Sequence, residues 1–472
     1  MRDFHPLLSN RLKSLQDLST AGLNDIESDS GDRLKRNSKT RPTVDLSSRH
    51  RHWVSGMLLG IWAVLVWGLS SCGVSPVDAE DRLFVPLSVE VLDEFVLPFD
   101  TEFEGTKVGG LSAIAYDRAN DSFYALPDDR GDINPPRLYT LKISVNQKSK
   151  ANLGVESLDS LDNNSTTENT KGLETPTGEI TSVDIEQLVT LKDENGQPFE
   201  AGTIDPEGLV LTPRGTAMIS SEGDSSKAIN PFIGEFDLGS GELISTLPMP
   251  ERYLPKADPE NPKEIIEGVR NNFGFESLTT EAQGASRSPV EPFRIFTAVE
   301  SALAQDVDDE LPESQRHRKV RWLHYSLGTG RPFLISEHLY ELDENPEGSI
   351  VQGLTEILAL DTGGRFLSLE RSFGEETGFG IKLYEVALGA ATDTAAYDTL
   401  RGDLEGVVAP ARKRLLLDLE TTGLDLDNLE GMTIGPRLPD GSYSLILVSD
   451  NNFQAIQKNQ FLLLKLGGYK LS

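Results

Sequence analysis

The sequence lacks most of the motifs on which common catalytic sites depend. Cys72 is the one cysteine in 472 residues, so no disulfide can form within the chain. The six histidines show neither the H-x-x-x-H nor the H-E-x-x-H spacing of helical zinc sites. No G-x-S-x-G nucleophile elbow, P-loop or G-x-G-x-x-G fingerprint occurs. These absences argue against an α/β-hydrolase, a zinc site of that kind and a dinucleotide-binding domain.

Positive charge is also scarce. The chain has 44 Lys and Arg against 75 Asp and Glu, a formal net charge of −31. A field of this sign repels nucleic acid and anionic lipid headgroups. It is compatible with binding of Ca²⁺, which prefers carboxylate and carbonyl oxygens as ligands. A well-solvated acidic surface without any bound ion has the same composition, so charge alone does not decide between the two.

No long amphipathic helix and no alternating βαβ pattern is present; instead, one pair of short β-strands recurs. In the clearest copy, a strand at Gly208–Thr212 and a strand at Thr216–Ser220 flank a turn at Pro213–Gly215. Further copies follow at intervals of roughly 70 to 100 residues, which is the signature of a repeat architecture. Aligned on one apolar residue, the five copies fall at Leu111, Leu209, Leu278, Leu354 and Met432.

Further strand patterns complete each copy and predict the fold class. A third strand follows every copy, and a fourth follows all but the last, because the chain ends at Ser472. The segment Leu87–Leu97 precedes the first copy and can supply the missing strand. Such ring closure removes free sheet edges in β-propellers. We therefore predict an all-β, single β-propeller of five to six four-stranded blades. A sixth blade has room at 144–200 or 387–428.

The N-terminal region has the layout of an export signal. Residues 1–52 are polar, which predicts disorder, and a basic end precedes the uncharged apolar stretch 53–69. The stretch continues into Leu69-Ser70-Ser71-Cys72-Gly73, which resembles the lipobox of bacterial lipoproteins, in which the cysteine is acylated. An uncleaved membrane anchor and an ordinary signal peptide are the alternatives. Each of them exports the propeller predicted at 81–472, with its solvated insert loops at about 146–180 and 306–319.

Acidic residues recur at equivalent points of the copies. The second strand ends on an acid in each copy, and the first strand often begins on one. The strand-end acids are Asp128 with Asp129, Glu222, Glu300, Glu370 and Asp450, and the strand-start acids are Glu207, Glu276 and Glu430. Equivalent positions of successive blades form rings about the propeller axis, so these carboxylates should converge. Clustered carboxylates repel one another unless a cation lies among them, and Ca²⁺ is the natural guest. Capping of strands and turns is the alternative role for each acid.

Three arginines lie next to these acids in the sequence. Arg130 follows Asp129, Arg371 follows Glu370, and Arg270 precedes a pair of asparagines. An arginine beside a metal site suits a phosphate group, since its planar fork forms two parallel hydrogen bonds to an oxyanion. Ion pairing with the neighbouring acid is the alternative.

Several segments together resemble the phytase-like family, which is also described as having esterase-like activity of phytase. They are GGLSAIAYD, DPEGLVL with ISSEGD, GVRNNFGFESL, FLSLERSF, and LEGMTIGP with LILVSDNNF, and they span about residues 105–467. The resemblance implies hydrolysis of phosphomonoesters, and well-studied propeller phytases use Ca²⁺ in an acidic channel. Asp128-Asp129-Arg130 fits the Asp-Arg pair that is typical of relatives. Gln352 departs from the pattern, because it stands where an acid is expected in the fourth copy.

We therefore predict an exported, monomeric phosphoesterase that is attached to the membrane, faces the periplasm or the cell exterior, and hydrolyses a small phosphomonoester with the aid of Ca²⁺. The predicted metal ligands are Asp129, Glu207, Glu222, Glu300 and Asp450. The predicted catalytic residues, as ligands of metal or water, are Glu276 and Glu370. The predicted phosphate contacts are Arg130, Arg371 and Arg270. The alternative is a non-catalytic propeller that binds a ligand or an envelope partner, and convergence of these acids near an arginine would distinguish the two.

The lipobox resemblance makes the first testable prediction. Replacing Cys72 by Ala removes the one thiol that a lipid can modify, so acylation should be abolished and the protein released or mislocalised. Metabolic labelling with a fatty acid and membrane fractionation measure both effects, with Ser71→Ala as the matched control. Undiminished lipid labelling of Cys72→Ala would contradict the lipoprotein assignment.

Overall fold

The structure is a computed structural model that describes residues 83–147, 178–281 and 291–470. The predicted leader, the apolar stretch, Cys72 and most of the insert predicted at 146–180 lie outside the described residues. No helix in the described part of the chain is both long and apolar enough to cross a bilayer.

Strands account for nearly all of the regular structure. In chain order, β1 is Ser88–Leu97, and β2 and β3 form a small hairpin at Glu102–Phe103 and Thr106–Lys107. Blade 1 contains β4 Leu111–Asp117, β5 Ser122–Pro127, β6 Arg137–Gln147 and β7 Gly178–Thr190. Blade 2 contains β8 Pro206–Leu211, β9 Thr216–Ser221, β10 Phe232–Asp237 and β11 Leu243–Thr246. A second hairpin follows, with β12 at Lys256–Ala257 and β13 at Ile265–Glu267.

The second half of the chain repeats the plan. Blade 3 contains β14 Phe275–Thr280, β15 Phe293–Val299, β16 Lys319–Leu327 and β17 Phe333–Glu341. Blade 4 contains β18 Val351–Ala359, β19 Arg365–Gly374, β20 Gly378–Ala387 and β21 Arg412–Asp418. Blade 5 contains β22 Leu429–Arg437, β23 Tyr443–Ser449 and β24 Asn459–Gly467. Short 3₁₀ turns lie at Ser225–Lys227, Glu251–Tyr253, Ala304–Asp306, Glu313–Gln315 and Leu419–Thr422.

The strand order confirms the propeller. Each blade is a four-stranded antiparallel meander, and β1 pairs with β24 to complete blade 5, from Ser88 opposite Gly467 to Leu97 opposite Asn459. The first strands β4, β8, β14, β18 and β22 contact one another in sequence and close a ring. The described parts of 144–200 and 387–428 hold β7, β21 and loops rather than a further blade. The closure explains how this sheet protein avoids a free edge at its seam.

Apolar side chains from both faces of the inner strands fill the spaces between blades. In β23 all seven residues are buried, as expected of a strand with a blade packed on each face. Between blades 3 and 4 the ring of Phe366 lies 4.8 Å from that of Phe296 and 5.0 Å from that of Trp322, both in edge-on contact. Such aromatic packing fixes the angle between neighbouring blades, which in turn fixes where their inner strand ends meet.

Every first strand carries a β-bulge near its start. The register between first and second strand shifts at Ser112 in blade 1, at Glu207 with Gly208 in blade 2, at Glu276 in blade 3, at Thr355 in blade 4 and at Glu430 in blade 5. A bulge inserts one residue that has no ladder partner and re-aims its side chain. The five bulges therefore direct one side chain per blade differently from its ladder neighbours, and three of these side chains are acids.

Glycines allow the blades to approach at these points. A Cβ on Gly274 would lie 2.4 Å from Cβ of Glu222, and one on Gly353 would lie 2.3 Å from Cγ of Glu300. Both distances are far below van der Waals contact, so a side chain at either position would displace the acid beside it. The glycines of the recurring pattern are thus required by close packing of one blade against the next.

Arg321 forms a buried ion network that holds blade 3 and the loop after β20 together. Its guanidinium donates to Asp306 at 2.6 Å and 3.0 Å and to Glu337 at 2.5 Å, and all three side chains are fully buried. It also donates to the carbonyls of Tyr397 and Asp398 in that loop. Asp306 opens the segment that the sequence analysis interpreted as a solvated insert; it is buried instead, because Arg321 neutralises it.

Replacing Arg321 by Met should destabilise the fold by about 3–5 kcal/mol, because it leaves Asp306 buried without its cation and leaves Glu337 with only the more distant Arg252, at 3.8 Å. Urea unfolding followed by tryptophan fluorescence measures the loss. Arg331→Met is the matched control, since Arg331 is exposed on the turn between β16 and β17. Equal unfolding midpoints for the two variants would contradict the role assigned to Arg321.

Candidate functional site

Two rings of equivalent positions surround one end of the propeller axis. The first ring consists of the five bulge residues. The second ring lies on the second strands. In each blade it is the residue that follows the ladder partner of the residue just before the bulge, and its members are Asp128, Glu222, Glu300, Arg371 and Asp450. Blade 4 therefore contributes Thr355 and Arg371 where blades 2, 3 and 5 contribute two acids each.

Acids of blades 1, 2 and 3 come closest together. Carboxylate oxygens of Asp128, Asp205 and Glu207 lie within 4.8 Å of one another, and so do those of Glu207, Glu222 and Glu276. Glu207 belongs to both groups, so the two groups are continuous. Glu207 and Asp205 are each 2% exposed. Spacing of this order lets one cation contact several carboxylates at once, as Ca²⁺ does in its oxygen-rich shells.

Arg130 enters the cluster from the loop after β5. Its Nε donates to Oδ1 of Asp205 at 2.6 Å, and its Nη2 donates to Oε1 of Glu222 at 3.3 Å and to Oδ1 of Asn272 at 3.1 Å. Glu222 in turn accepts from the backbone N–H of Gly274 at 3.0 Å. Arg130 therefore joins blades 1 and 2 to the loop that precedes blade 3.

Arg371 enters the cluster from the opposite side. Its Nη2 donates to Oε1 of Glu300 at 2.5 Å, and its Nη1 donates to Oε1 of Glu430 at 3.1 Å and to Oδ1 of Asn428 at 2.5 Å. Its side chain is 8% exposed. One arginine of blade 4 thus bridges acids of blades 3 and 5, and it occupies the place in the ring that an acid has in the other blades.

The cluster has more negative charge than these arginines balance. It contains seven acids, Asp128, Asp205, Glu207, Glu222, Glu276, Glu300 and Glu430, against Arg130 and Arg371. Burial raises the pKa of Asp205, Glu207 and Glu276 well above the ordinary carboxyl range, and repulsion from neighbouring acids raises each pKa further. The nearby arginines lower the pKa of Asp205 and Glu276, but they do not cancel the rise.

The donor set fits a divalent cation. Oε1 of Glu207 is buried and has no hydrogen-bond donor within the described residues. A buried carboxylate oxygen without a partner costs free energy, and coordination of a cation satisfies it. All of the ligand atoms are oxygen, which suits Ca²⁺ or Mg²⁺ better than zinc or copper.

The structure brings together most of the residues predicted from the sequence. Glu207, Glu222, Glu276 and Glu300 lie in the cluster with Arg130 and Arg371. Asp450 lies at its edge, where Oδ2 accepts from Nδ2 of Asn428 at 3.4 Å and Oδ1 accepts from the N–H of Asn452 at 2.6 Å.

Two of the predicted acids lie outside the cluster. Asp129 accepts from three backbone N–H groups of its own turn and from Nη1 of Arg137 at 2.6 Å. Glu370 accepts from Tyr340 Oη at 2.6 Å and pairs with Lys413. In a strand or extended segment successive side chains point to opposite sides, so the neighbours Asp128 and Arg371 reach the cluster while Asp129 and Glu370 do not.

Arg270 lies beside the cluster under the loop after β15. Its Nη2 donates to Oγ of Ser301 at 2.8 Å and its Nε to the carbonyl of Ala302 at 3.0 Å, while the guanidinium stacks on Phe273. Burial lowers the pKa of Arg270 to about 10, against the opposing effect of Glu300. At neutral pH it stays charged, and no carboxylate in the described residues forms an ion pair with it.

Three cluster residues are absent from the predicted ligand set: Asp128 and Glu430, which were expected to converge but were given no role, and Asp205, for which no prediction was made from the sequence. Asp128 is adjacent to Asp129, the residue that was predicted as a ligand. The two side chains point to opposite sides of the extended segment, and only that of Asp128 reaches the cluster. Asp205 precedes β8 in the DPEGL segment and lies two residues before Glu207, a spacing that places both on one side of an extended strand. That spacing is the signal from which Asp205 could have been found.

Comparison with known proteins identifies one family. The family model described as phytase-like, esterase-like activity of phytase, matches residues 106–453. No curated protein matches the sequence.

Solved structures give only distant likenesses. A chain from an S. cerevisiae complex of Dbp5 bound to Nup159, Gle1, IP6 and ADP is 8% identical, with coverage of 80% of this chain and 95% of that chain and a TM-score of 0.27. The Dos1 propeller is 8% identical, with coverage of 81% and 96% and a TM-score of 0.28. A glucose dehydrogenase is 12% identical, with coverage of 80% and 99% and a TM-score of 0.30. Scores this low support no inference about this chain.

The buried acids predict how stability depends on pH and on Ca²⁺. Because their pKa values are raised in the folded state, the folded protein holds more protons than the unfolded protein above about pH 4. The free energy of unfolding of chelated protein should therefore fall as pH rises from 5 to 7.5. Ca²⁺ should restore it, by about 2.7 kcal/mol at one hundred times its Kd.

Urea unfolding at both pH values, with chelator or with Ca²⁺, measures these changes. Glu207→Gln should reduce both the loss with pH and the gain with Ca²⁺, because it removes one of the repelling charges and one ligand. Glu194→Gln, at an exposed position, is the control. Chelated protein that is equally stable at both pH values, with no gain from Ca²⁺, would contradict the interpretation of the cluster.

Proposed function

The chain belongs to the phytase-like family, and from this premise we propose that it is a metal-assisted phosphomonoesterase whose reaction takes place at the acidic cluster. The observation that carries the proposal is the meeting of seven acids and two arginines at one end of the propeller axis. Neither a turn nor a strand cap requires such a concentration of buried charge.

The proposed cation ligands are the two groups whose oxygens lie closest together. Asp128, Asp205 and Glu207 would hold one ion, and Glu207, Glu222 and Glu276 would hold a second or share the first. A bound divalent cation would neutralise phosphate and lower the pKa of a coordinated water. Ca²⁺ is the proposed ion, since its flexible shell of six to eight oxygens tolerates an irregular set of carboxylates.

The protein side chains would position the phosphate and handle the protons. Arg130 is held by two acids of blade 2, and Arg371 is held by one acid each of blades 3 and 5, so their guanidinium groups are fixed before a substrate binds. Preorganised donors of this kind bind a phosphoryl oxyanion without reorganisation cost. Arg270 would supply a further contact at the edge of the cluster. Glu276, whose pKa is raised by burial and by neighbouring acids, is suited to accept the proton of the attacking water at a carboxylate oxygen.

The predictions of export, lipid attachment and a monomeric state enter the proposal without change, whereas the predicted roles of Asp129 and Glu370 do not. Export and lipid attachment at Cys72 would place the propeller on the outer side of a membrane, as a monomer. Glu370 would act indirectly, by fixing Lys413 and Tyr340 behind the strand that carries Arg371.

Two substitutions test the proposal. Glu276→Gln keeps the shape of the side chain but removes its charge, so turnover should fall roughly 100-fold or more and Ca²⁺ affinity should fall with it. Arg371→Lys keeps the charge but loses the planar fork, so phosphate binding should weaken with little change in Ca²⁺ affinity. Arg365→Lys, on the same strand but at its distant end, is the matched control.

The measurements are phosphate release from a panel of phosphomonoesters, with Ca²⁺ and with chelator, and calorimetric titration with Ca²⁺ and inorganic phosphate. Absence of Ca²⁺-dependent phosphate release from every phosphomonoester would overturn the catalytic proposal in favour of a ligand-binding propeller. Variants identical to the parent in both titrations would show that the acidic cluster is structural.

A further inference from the structure

A serine lies between two histidines on the outer hairpin of blade 3. Oγ of Ser336 is 3.0 Å from Nε2 of His338 and 3.3 Å from Nδ1 of His324, and Nδ1 of His338 is 3.1 Å from the carbonyl oxygen of Thr392. His324 and Ser336 are directly opposite each other on β16 and β17, and His338 follows two residues later on the same face. The four groups form one continuous hydrogen-bonded chain.

Hydrogen-bonding rules fix the direction of this chain. The carbonyl of Thr392 can only accept, so Nδ1 of a neutral His338 carries the proton and donates it. Nε2 of His338 is then an acceptor, and the hydroxyl of Ser336 donates to it. Burial lowers the pKa of His324 to about 4, so His324 is neutral and its Nδ1–H donates to Oγ of Ser336. The hydroxyl of Ser336 therefore donates to a base, Nε2 of His338, and the carbonyl of Thr392 orients that base.

This arrangement is that of an activated nucleophile. In serine hydrolases a histidine accepts the serine proton through one nitrogen, while an acceptor on its other nitrogen fixes the tautomer. Here the backbone carbonyl of Thr392 occupies the position of that acceptor. The pattern could not be found in the sequence, since no nucleophile elbow surrounds Ser336 and the two histidines lie on different strands.

The hydrogen-bonded series of His324, Ser336 and His338 is separate from the acidic cluster. His324 is the ladder partner of Phe296 on β15, and Phe296 lies four residues before Glu300, which directly follows that strand. At roughly 3.3 Å per residue, the distance along the strand is about 13 Å. None of Ser336, His324 or His338 forms a contact with a cluster residue within the part of the chain that the structure describes.

The surroundings of Ser336 on the side of blade 4 are mainly aromatic, and the nearby Arg294, 5.7 Å from the ring of Phe296, is neutralised by Glu281 at 2.8 Å. His324 stacks on Phe296 at 4.3 Å, and Phe366 packs against both Phe296 and Trp322. Trp322 lies opposite His338 in the ladder, and its indole Nε1–H is buried without an acceptor among the described residues. Ser336 and both histidines are partly exposed. An apolar wall with one unpaired N–H suits a neutral ligand that offers a carbonyl oxygen.

From this geometry we infer that Ser336 and His338 form a second, metal-independent site that hydrolyses small uncharged carboxylic esters. Oγ of Ser336 attacks the ester carbonyl carbon while Nε2 of His338 takes the hydroxyl proton. The bond from the carbonyl carbon to the alkoxy oxygen breaks, and His338 returns the proton to the leaving alcohol. Water then attacks the acyl-serine and gives one proton to His338, the bond from the carbonyl carbon to Oγ breaks, and His338 passes the proton to Oγ of Ser336 as the carboxylic acid leaves.

Covalent labelling tests the nucleophile directly. The folded full chain is incubated with a fluorophosphonate probe, and peptide mass spectrometry locates the modified residue. We expect modification of Ser336, with loss of labelling in Ser336→Ala and at least tenfold slower labelling in His338→Gln. Ser326→Ala is the matched control, because Ser326 lies on the same hairpin without a histidine partner and should label like the parent. Unmodified Ser336, or undiminished labelling of Ser336→Ala, would overturn the inference.

Hydrolysis of p-nitrophenyl butyrate gives the second readout. His338→Gln keeps hydrogen-bonding capacity but removes the base, so kcat should fall roughly 100-fold while KM changes little. Thermal unfolding of each variant checks that the fold is retained. Equal ester hydrolysis by the parent, Ser336→Ala and His338→Gln would show that Ser336 is only a hydrogen-bonded side chain of the sheet.

Discussion

Mutual repulsion among buried carboxylates is the interaction on which the inner end of the propeller depends. Asp205, Glu207 and Glu276 are buried next to other acids, and burial and repulsion both raise their pKa values. A fold places such groups together at a cost, which it recovers when a cation or a proton occupies the site. Arg130 and Arg371 reduce the repulsion at two points and leave a surplus of negative charge between them. The family match and the all-oxygen donor set support the proposal that this surplus holds a divalent cation.

Buried acids that lie away from the axis are paired with arginines. Asp129, Asp306 and Glu337 are as deeply buried as the cluster acids, but each has an arginine and several donors arranged around it. These saturated networks fix turns and loops and have no capacity left for a ligand. The contrast between a satisfied acid such as Asp129 and an unsatisfied oxygen such as Oε1 of Glu207 separates structural from functional acids more clearly than sequence position does.

The repeat explains how the cluster is assembled from simple local features. Each blade supplies a bulge at the start of its first strand and a strand end beside it, and glycines at the contact let neighbouring blades approach. Changing one residue type at one of these positions changes the ring. Blade 4 does so twice, with Thr355 and Arg371, and Arg371 places a positive charge between acids of blades 3 and 5. Divergence among the copies, rather than their similarity, makes the cluster asymmetric.

The sequence by itself determined the fold class, the five repeats and the closure of the ring, because strand alternation and turn residues are local and recur. It also indicated most of the cluster, including Glu207, Glu222, Glu276 and Glu300. Only the tertiary structure decided which member of an adjacent pair faces the axis, as with Asp128 and Asp129, because successive side chains lie on opposite sides and the register between β4 and β5 sets which side faces the axis. The pairing of Ser336 with His338 and His324 belonged to the tertiary structure as well, since it depends on the register between two strands and on a carbonyl more than fifty residues away in the sequence.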